Sequence, residues 1–166
     1  DAALEPTVRR HLRPRADQVR VLPNGIDLEE VASQAGRADG AAMRKNHGLE
    51  TRTFVMLSVG RLEANKGFEV LADALGREAR MGGVLAGTDW RWVLVGAGPH
   101  RRAIERGVRR HGIADRVLVA GRVGDRDLHA WYEAASVFVH PTLYEGSSLV
   151  TLEAMAHRKA IVATTA

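Results

Sequence analysis

The chain has no cysteine. Disulfides and thiolate metal sites are therefore excluded, and the redox compartment is left open. Aromatic residues make up 5% of the sequence, too few for the stacking platforms that bind single-stranded nucleic acid. No run of about twenty apolar residues occurs, so no membrane-spanning helix is expected. No signal peptide is visible, and the chain opens on Asp1 rather than Met, which reads as a cut piece. The seven histidines include no ligand pair at helical or finger spacing, so no metal is expected.

What is present is ordinary for a globular protein, with 45% hydrophobic and 27% charged residues. At 166 residues the length gives one domain, able to bury about two-thirds of its unfolded surface. The formal charge of +4 invites an anionic partner: nucleic acid, an anionic membrane or a small anionic ligand. The excess is arginine spread along the chain, not a basic block with interleaved aromatics, so nucleic acid is not expected.

Residues 1–19 are polar and Arg-rich, and Pro6 and Pro14 interrupt any helix there. Val19 to Pro23 reads as a short strand and Asn24-Gly25 as a turn. Residues 29–50 read as a loop and a helix around Ala41 to His47. From Thr53, apolar runs at 54–59, 90–95, 116–120, 136–139 and 160–163 alternate with helical stretches near 66–80, 100–111, 126–135 and 148–156. Such alternation predicts an α/β fold, a doubly wound Rossmann-like parallel sheet with helices on both faces. Gly60-Arg61, Gly96-Ala97-Gly98, Gly121-Arg122 and Glu145-Gly146 each follow a strand. Ligands of open parallel sheets bind at those carboxyl ends, so a single site is expected there.

The densest signal is His140 to Ala156, HPTLYEGSSLVTLEAMA. Pro141, Gly146, Ser147 and Ser148 make a turn, and Ser147 or Ser148 caps a helix with Leu149, Leu152 and Ala156 on one side. Glu145 lies in the turn, and Glu153 is the one charge between it and His157. A helix apolar nearly all round is a buried one, where a carboxylate needs partners. The plainer alternative is a Glu153 on an exposed stripe beside Thr151. Free N–H groups and the helix dipole favour an anion at this turn.

The second signal is Gly60-Arg61-Leu62-Glu63-Ala64-Asn65-Lys66-Gly67. Asn65 is a natural N-cap, which places Lys66 in the first turn of the next helix, against the dipole unless an anion lodges there. A forked guanidinium and a point charge suit the two phosphates of a nucleotide diphosphate; otherwise both are solvated, with Glu69 offsetting Lys66. Gly96-Ala97-Gly98-Pro99 lacks the third glycine of a dinucleotide fingerprint and reads as a tight strand-to-helix turn. Arg101, Arg102, Arg106, Arg109 and Arg110 share a helix opposite Ala103, Ile104 and Val108. That is a solvated face, or one drawn to an anionic membrane surface.

With these motifs the chain resembles the retaining glycosyltransferases of the two-Rossmann-domain (GT-B) type, family 4. Their signature, two glutamates separated by seven residues in a YEGFG…LEAMA-like segment, is matched by Tyr144-Glu145-Gly146 and Leu152-Glu153-Ala154-Met155-Ala156. Ser147-Ser148 depart from it, standing where many members carry Phe-Gly or a similar pair. Val21 to Asp27 resembles the entry to the family's C-terminal domain. Residues 20–166 are thus identified as a C-terminal nucleotide-sugar-binding domain trimmed at its end, and 1–19 as a hinge or a remnant of a missing N-terminal domain.

The resemblance implies transfer of a sugar from a nucleotide diphosphate sugar to an acceptor hydroxyl with retained configuration. It makes Arg61, Lys66 and Glu145 the catalytic candidates. Arg61 and Lys66, beside Gly60, would meet the diphosphate, with Gly98 in a glycine-rich loop nearby. Glu145 would hold the transferred sugar and Glu153 the ribose, while Gly146 and the Ser147, Ser148 and Leu149 amides assist. Arg122 and Val123 would meet the base. No cofactor and no metal are implied. Asp125-Arg126-Asp127, which mimics the metal-binding DxD of the single-Rossmann type, starts a helix where Asp caps and complements the dipole. The acceptor is expected through the missing domain, so the fragment alone is expected to be inactive. A cytoplasmic location is expected, peripheral at the inner face of the membrane where acceptors are lipid-linked. A non-catalytic nucleotide-sugar-binding module and a basic nucleic-acid-binding domain stand as the rival readings.

Overall fold

Short apolar runs rich in β-branched and aromatic residues have too few residues for a helix and enough apolar surface for a strand. In the computed structural model, which describes residues 4–165, five of them do form strands. These are β1 (Phe54–Val59), β2 (Trp90–Val95), β3 (Val117–Gly121), β4 (Val137–His140) and β5 (Ala160–Ala163). All pair in parallel, in the order β3-β2-β1-β4-β5.

A parallel sheet must be covered on both faces, and successive strand residues divide between two cores. Met56, Trp90, Trp92 and Leu94 pack with Phe68, Leu75 and Ile104 from α4 (Phe68–Met81) and α5 (Arg101–Arg110). Val55, Leu57, Val93 and Phe138 pack with Trp131, Tyr132 and Ala154 from α6 (Asp125–Ala134) and α7 (Leu149–Ala156). α3 (Arg37–Asn46) lies along α6. Ser58 is a polar residue at full burial, and it is satisfied: it accepts from Trp92 Nε1 at 3.1 Å and donates to the Val139 carbonyl at 2.7 Å.

The sequence reading needs correction in four places. Residues 1–19 do hold a helix, α1 (Glu5–Leu12). Pro6 sits in its first turn, where a missing N–H costs nothing, and the helix ends at Arg13, before Pro14. Val19 to Pro23 forms no strand and Asn24-Gly25 no turn. Instead this segment leads to Asp27, whose side chain accepts from the Glu29 and Glu30 amides and caps α2 (Leu28–Gln34). Residues 29–50 thus contain two helices rather than one. Finally, α7 is not buried all round. It packs through Val150 and Ala154, continued by the buried His157, while Leu149 and Met155 are exposed. That stripe, spaced four and then three residues, faces the sheet in place of Leu149, Leu152 and Ala156.

Behind α7 the second core contains a polar chain. His129 Nδ1 lies 2.8 Å from His157 Nε2, and His157 Nδ1 lies 2.7 Å from Glu133 Oε1. Tyr132 stacks on the His157 ring at 5.3 Å. Burial, and then the His157 charge, push the His129 pKa down against the pull of Glu153, Asp125 and Glu30. The folded state therefore binds fewer protons at His129 than the unfolded state does. The stability tied to its neutral ring is full above about pH 6.5 and is lost as pH falls. The melting temperature should drop between about pH 7 and pH 5, and His129→Gln, which cannot titrate, should flatten that slope in scanning calorimetry. An equal slope in both proteins would assign the acid sensitivity elsewhere.

Candidate active site

The strand order reverses between β1 and β4, so the outgoing chain segments leave for opposite faces, the switch point at which ligands of open parallel sheets bind. Residues 60–67 after β1 and 141–148 after β4 flank this point. Lys66 does not lie in the first turn of a helix capped by Asn65. It ends a single 3₁₀ turn, Ala64–Lys66, and α4 starts at Phe68 after Gly67. The Asn65 carbonyl is taken by the opposite segment, accepting from the Leu143 amide at 2.8 Å and the Thr142 hydroxyl at 3.1 Å. Gly67 has φ of 67°, and a Cβ there would run into the Pro141 carbonyl oxygen. The two loops are thus pressed together backbone against backbone.

That contact aims Lys66 at the other loop. Its Nζ lies 2.5 Å from Glu145 Oε2, with the two side chains 15% and 25% exposed. Burial pushes the Glu145 carboxyl up, but the hydrogen bond and charge of Lys66, with His140 and the Gly146 amide, hold it below the usual range. The switch point therefore holds a closed cation–carboxylate pair. His140 Nε2 lies 3.6 Å from the same Oε2, buried and without a hydrogen-bond partner. Burial pushes the His140 pKa down, with Glu145 pulling it up and Lys66 pressing it lower. His140 was not among the candidates read from the sequence; its signal is a polar residue closing an otherwise apolar strand.

The remaining candidates surround this pair. Gly60 turns the chain out of β1, and Arg61 is exposed and paired with Glu63 at 2.9 Å. Gly98 lies against the same loop, where a Cβ would stand 2.5 Å from the Leu62 carbonyl oxygen. Leu62 is held by the Ala97 carbonyl at 3.0 Å and by the His100 amide at 2.9 Å. Gly98 thus acts here as the tight strand-to-helix turn. Ser148, rather than Ser147, caps α7 by accepting from the Thr151 amide at 3.3 Å. Gly146, Ser147 and Leu149 are exposed at the same helix start, and Asn24 Nδ2 donates to the Ser147 carbonyl at 3.2 Å.

Arg122 and Val123 follow β3, two strands from β1, about 10 Å away across the sheet. Arg122 is exposed and Val123 packs on the second core. Glu153 is half-buried and partnered rather than set on a bare stripe. Its Oε2 accepts from the Tyr132 hydroxyl at 2.8 Å, and it faces a cleft of about 210 Å³ shared with Asp27, Glu30, Asp125 and His129. Burial, and then the Glu153 charge, push the Tyr132 hydroxyl up, so it stays a donor. Asp125 and Asp127 fall in the first turn of α6, after Gly124 at the cap position, where they complement the dipole. The structure joins Lys66 and Glu145. Among the described contacts it leaves Arg61, Arg122 and Glu153 outside that pair.

The family described as Glycosyl transferases group 1 matches residues 53–166. The chain is 31% identical over 136 residues to alpha-D-kanosaminyltransferase of Streptomyces kanamyceticus, covering 82% of this chain and 33% of that protein. It is 34% identical over 152 residues to D-inositol 3-phosphate glycosyltransferase of Xylanimonas cellulosilytica, covering 89% and 35%. The chain therefore spans about a third of the length of these curated relatives. The crystal structure of Anabaena HepE in complex with UDP and glucose superposes with a TM-score of 0.78 at 24% identity, over 96% of this chain and 42% of that one. The fold is that of a Rossmann-like half of a GT-B glycosyltransferase.

The Gly67–Pro141 contact makes a prediction. Gly67→Ala forces a side chain into the left-handed region and against a backbone carbonyl. It should cost more than about 1 kcal/mol of stability, read as a lower urea midpoint at unchanged m. A midpoint equal to that of wild type would show that the loops separate without cost.

Proposed function

Because this chain belongs to the glycosyl transferases group 1 family, we propose that it is the donor-binding half of a retaining enzyme of the family 4 kind. The reaction is transfer of a sugar from a nucleotide diphosphate sugar to an acceptor hydroxyl. The observation that carries this reading is the Lys66–Glu145 pair at the switch point of the sheet. One site offers a cation for a phosphate and a carboxylate for sugar hydroxyls. The neighbour solved with UDP and glucose supports the same ligand class.

In this reading Lys66 and Arg61 stabilise the charge that grows on the leaving diphosphate, a role that needs no metal ion. The exposed amides at the start of α7 add their dipole. Glu145 accepts hydrogen bonds from the transferred sugar. Glu153, aligned by Tyr132, takes the ribose hydroxyls, and the base reaches Arg122 and Val123. The acceptor comes from a second domain that closes over the switch point, positions the hydroxyl and excludes water. The isolated chain therefore binds donor without transferring its sugar. A cytoplasmic site of action suits a nucleotide sugar donor. No described helix is long and apolar enough to cross a membrane.

Calorimetric titration with UDP, GDP and ADP in chelator-treated buffer tests the assignment. Arg61→Ala and Lys66→Ala each remove a charge-assisted contact of about 1.5–3 kcal/mol, so affinity should fall about ten- to a hundredfold. Glu145→Gln should act in opposite directions on two ligands. It releases Lys66, tightening the nucleoside diphosphate about fivefold, while weakening the sugar-bearing donor. Arginine and lysine variants that titrate like wild type would overturn the phosphate assignment.

A further inference from the structure

Three groups meet at one oxygen. Glu145 Oε2 is 2.5 Å from Lys66 Nζ and 3.6 Å from His140 Nε2. His140 is the last residue of β4, its carbonyl held by the Thr164 amide at 3.3 Å. Its ring stacks on Phe138 with centroids 5.9 Å apart and planes 17° from parallel. Backbone and ring are therefore both fixed facing the carboxylate. Among the described residues, His140 Nε2 is the buried side-chain nitrogen or oxygen that has no hydrogen-bond partner. Such groups are rare in native proteins and call for a state that satisfies them. The charged groups acting on the ring are Glu145, from the turn after β4, and Lys66, from the loop after β1. With Lys66 bound to Glu145, the lysine charge opposes protonation of the ring. With Lys66 drawn off to a phosphate, Glu145 is left half-buried without its cation and the histidine is the nearest donor.

We propose that His140 is a positioning residue for Glu145: when the donor's diphosphate draws Lys66 away, the ring takes one proton from solvent and holds the carboxylate in place for the sugar. This rests on the donor-site reading above. It adds a coupling between donor binding and a proton, carried by a side chain that touches neither phosphate nor sugar. A histidine that only filled space in the second core would leave ligand binding without such a coupling.

The test uses this chain and whichever of UDP, GDP and ADP binds it. Binding heats measured near pH 7 in two buffers of different ionisation enthalpy give the protons exchanged. Wild type should take up more protons per nucleotide than His140→Gln, which keeps an N–H for Glu145 but cannot titrate. Affinity in wild type should rise as pH falls, approaching tenfold per pH unit at about one proton taken up, and this component should vanish in His140→Gln. Proton loss from the nucleotide's own phosphate is common to both proteins and cancels in the difference. Ring resonances supply a second arm that needs no substitution at His140. The His140 titration midpoint should move up on adding nucleotide, and it should already be raised in Lys66→Ala without nucleotide. Nucleotide binding with equal proton uptake in wild type and His140→Gln overturns the proposal alone, as does a midpoint unmoved by nucleotide or by Lys66→Ala. Absence of any nucleotide binding overturns this proposal and the donor-site reading together.

Discussion

A loop resting its backbone directly on the carbonyl of another loop is the constraint on which this site depends. Loops at strand ends are mobile unless something ties them. Here the segment after β1 is tied twice. The Asn65 carbonyl accepts from Leu143 and Thr142 on one side, and Leu62 exchanges hydrogen bonds with Ala97 and His100 on the other. Each bond contributes about 0.5–1.5 kcal/mol, and both contacts are close enough to exclude a Cβ at Gly67 and Gly98. The sheet contributes the geometry: β1 lies between β2 and β4, so the loop leaving it is the one that reaches both neighbours. Lys66 is placed by this joint rather than by a helix of its own.

Lys66 and Glu145 answer each other's charge. A half-buried lysine or carboxylate alone would carry a desolvation cost, which the attraction within the pair offsets in part. A ligand that enters must therefore offer a substitute for each partner, an anion for the amine and donors for the carboxylate. A nucleotide sugar carries both within one molecule. In the proposed donor site, the pair would tie affinity to chemistry on both sides of the glycosidic bond, with His140 beside the carboxylate.

The regular part of the fold was legible because it is local. Runs such as Phe54–Val59 and Trp90–Val95 carry their own boundaries in glycine and charge. The N-terminal stretch was not, because Pro6 breaks a helix interior yet begins a helix well, and the residues alone do not show which applies. In the site, the glutamate turn and the GRL…KG loop were readable as motifs. Their pairing was not, since Lys66 and Glu145 are 79 residues apart and meet only through the strand order. Asn65 looked like a cap because its side chain suits one, whereas its carbonyl had been claimed by the turn after β4. The role of His140 lies in an unmet nitrogen, a property of the folded arrangement that no motif carries.

The placement of the three tryptophans has an optical consequence. Trp90 and Trp92 lie in the core under α4 and α5, and Trp131 lies in the core under α6 and α7, each at most 1% exposed. The two faces of the sheet therefore carry separate intrinsic fluorophores. Trp131 has the His47 ring 4.6 Å away, a contact that the pair on the other face lacks among the described residues. A ring in contact with the indole gives that face an environment of its own. Emission resolved by selective replacement of one tryptophan set with phenylalanine would then report whether the two layers lose their packing in one cooperative step or one after the other.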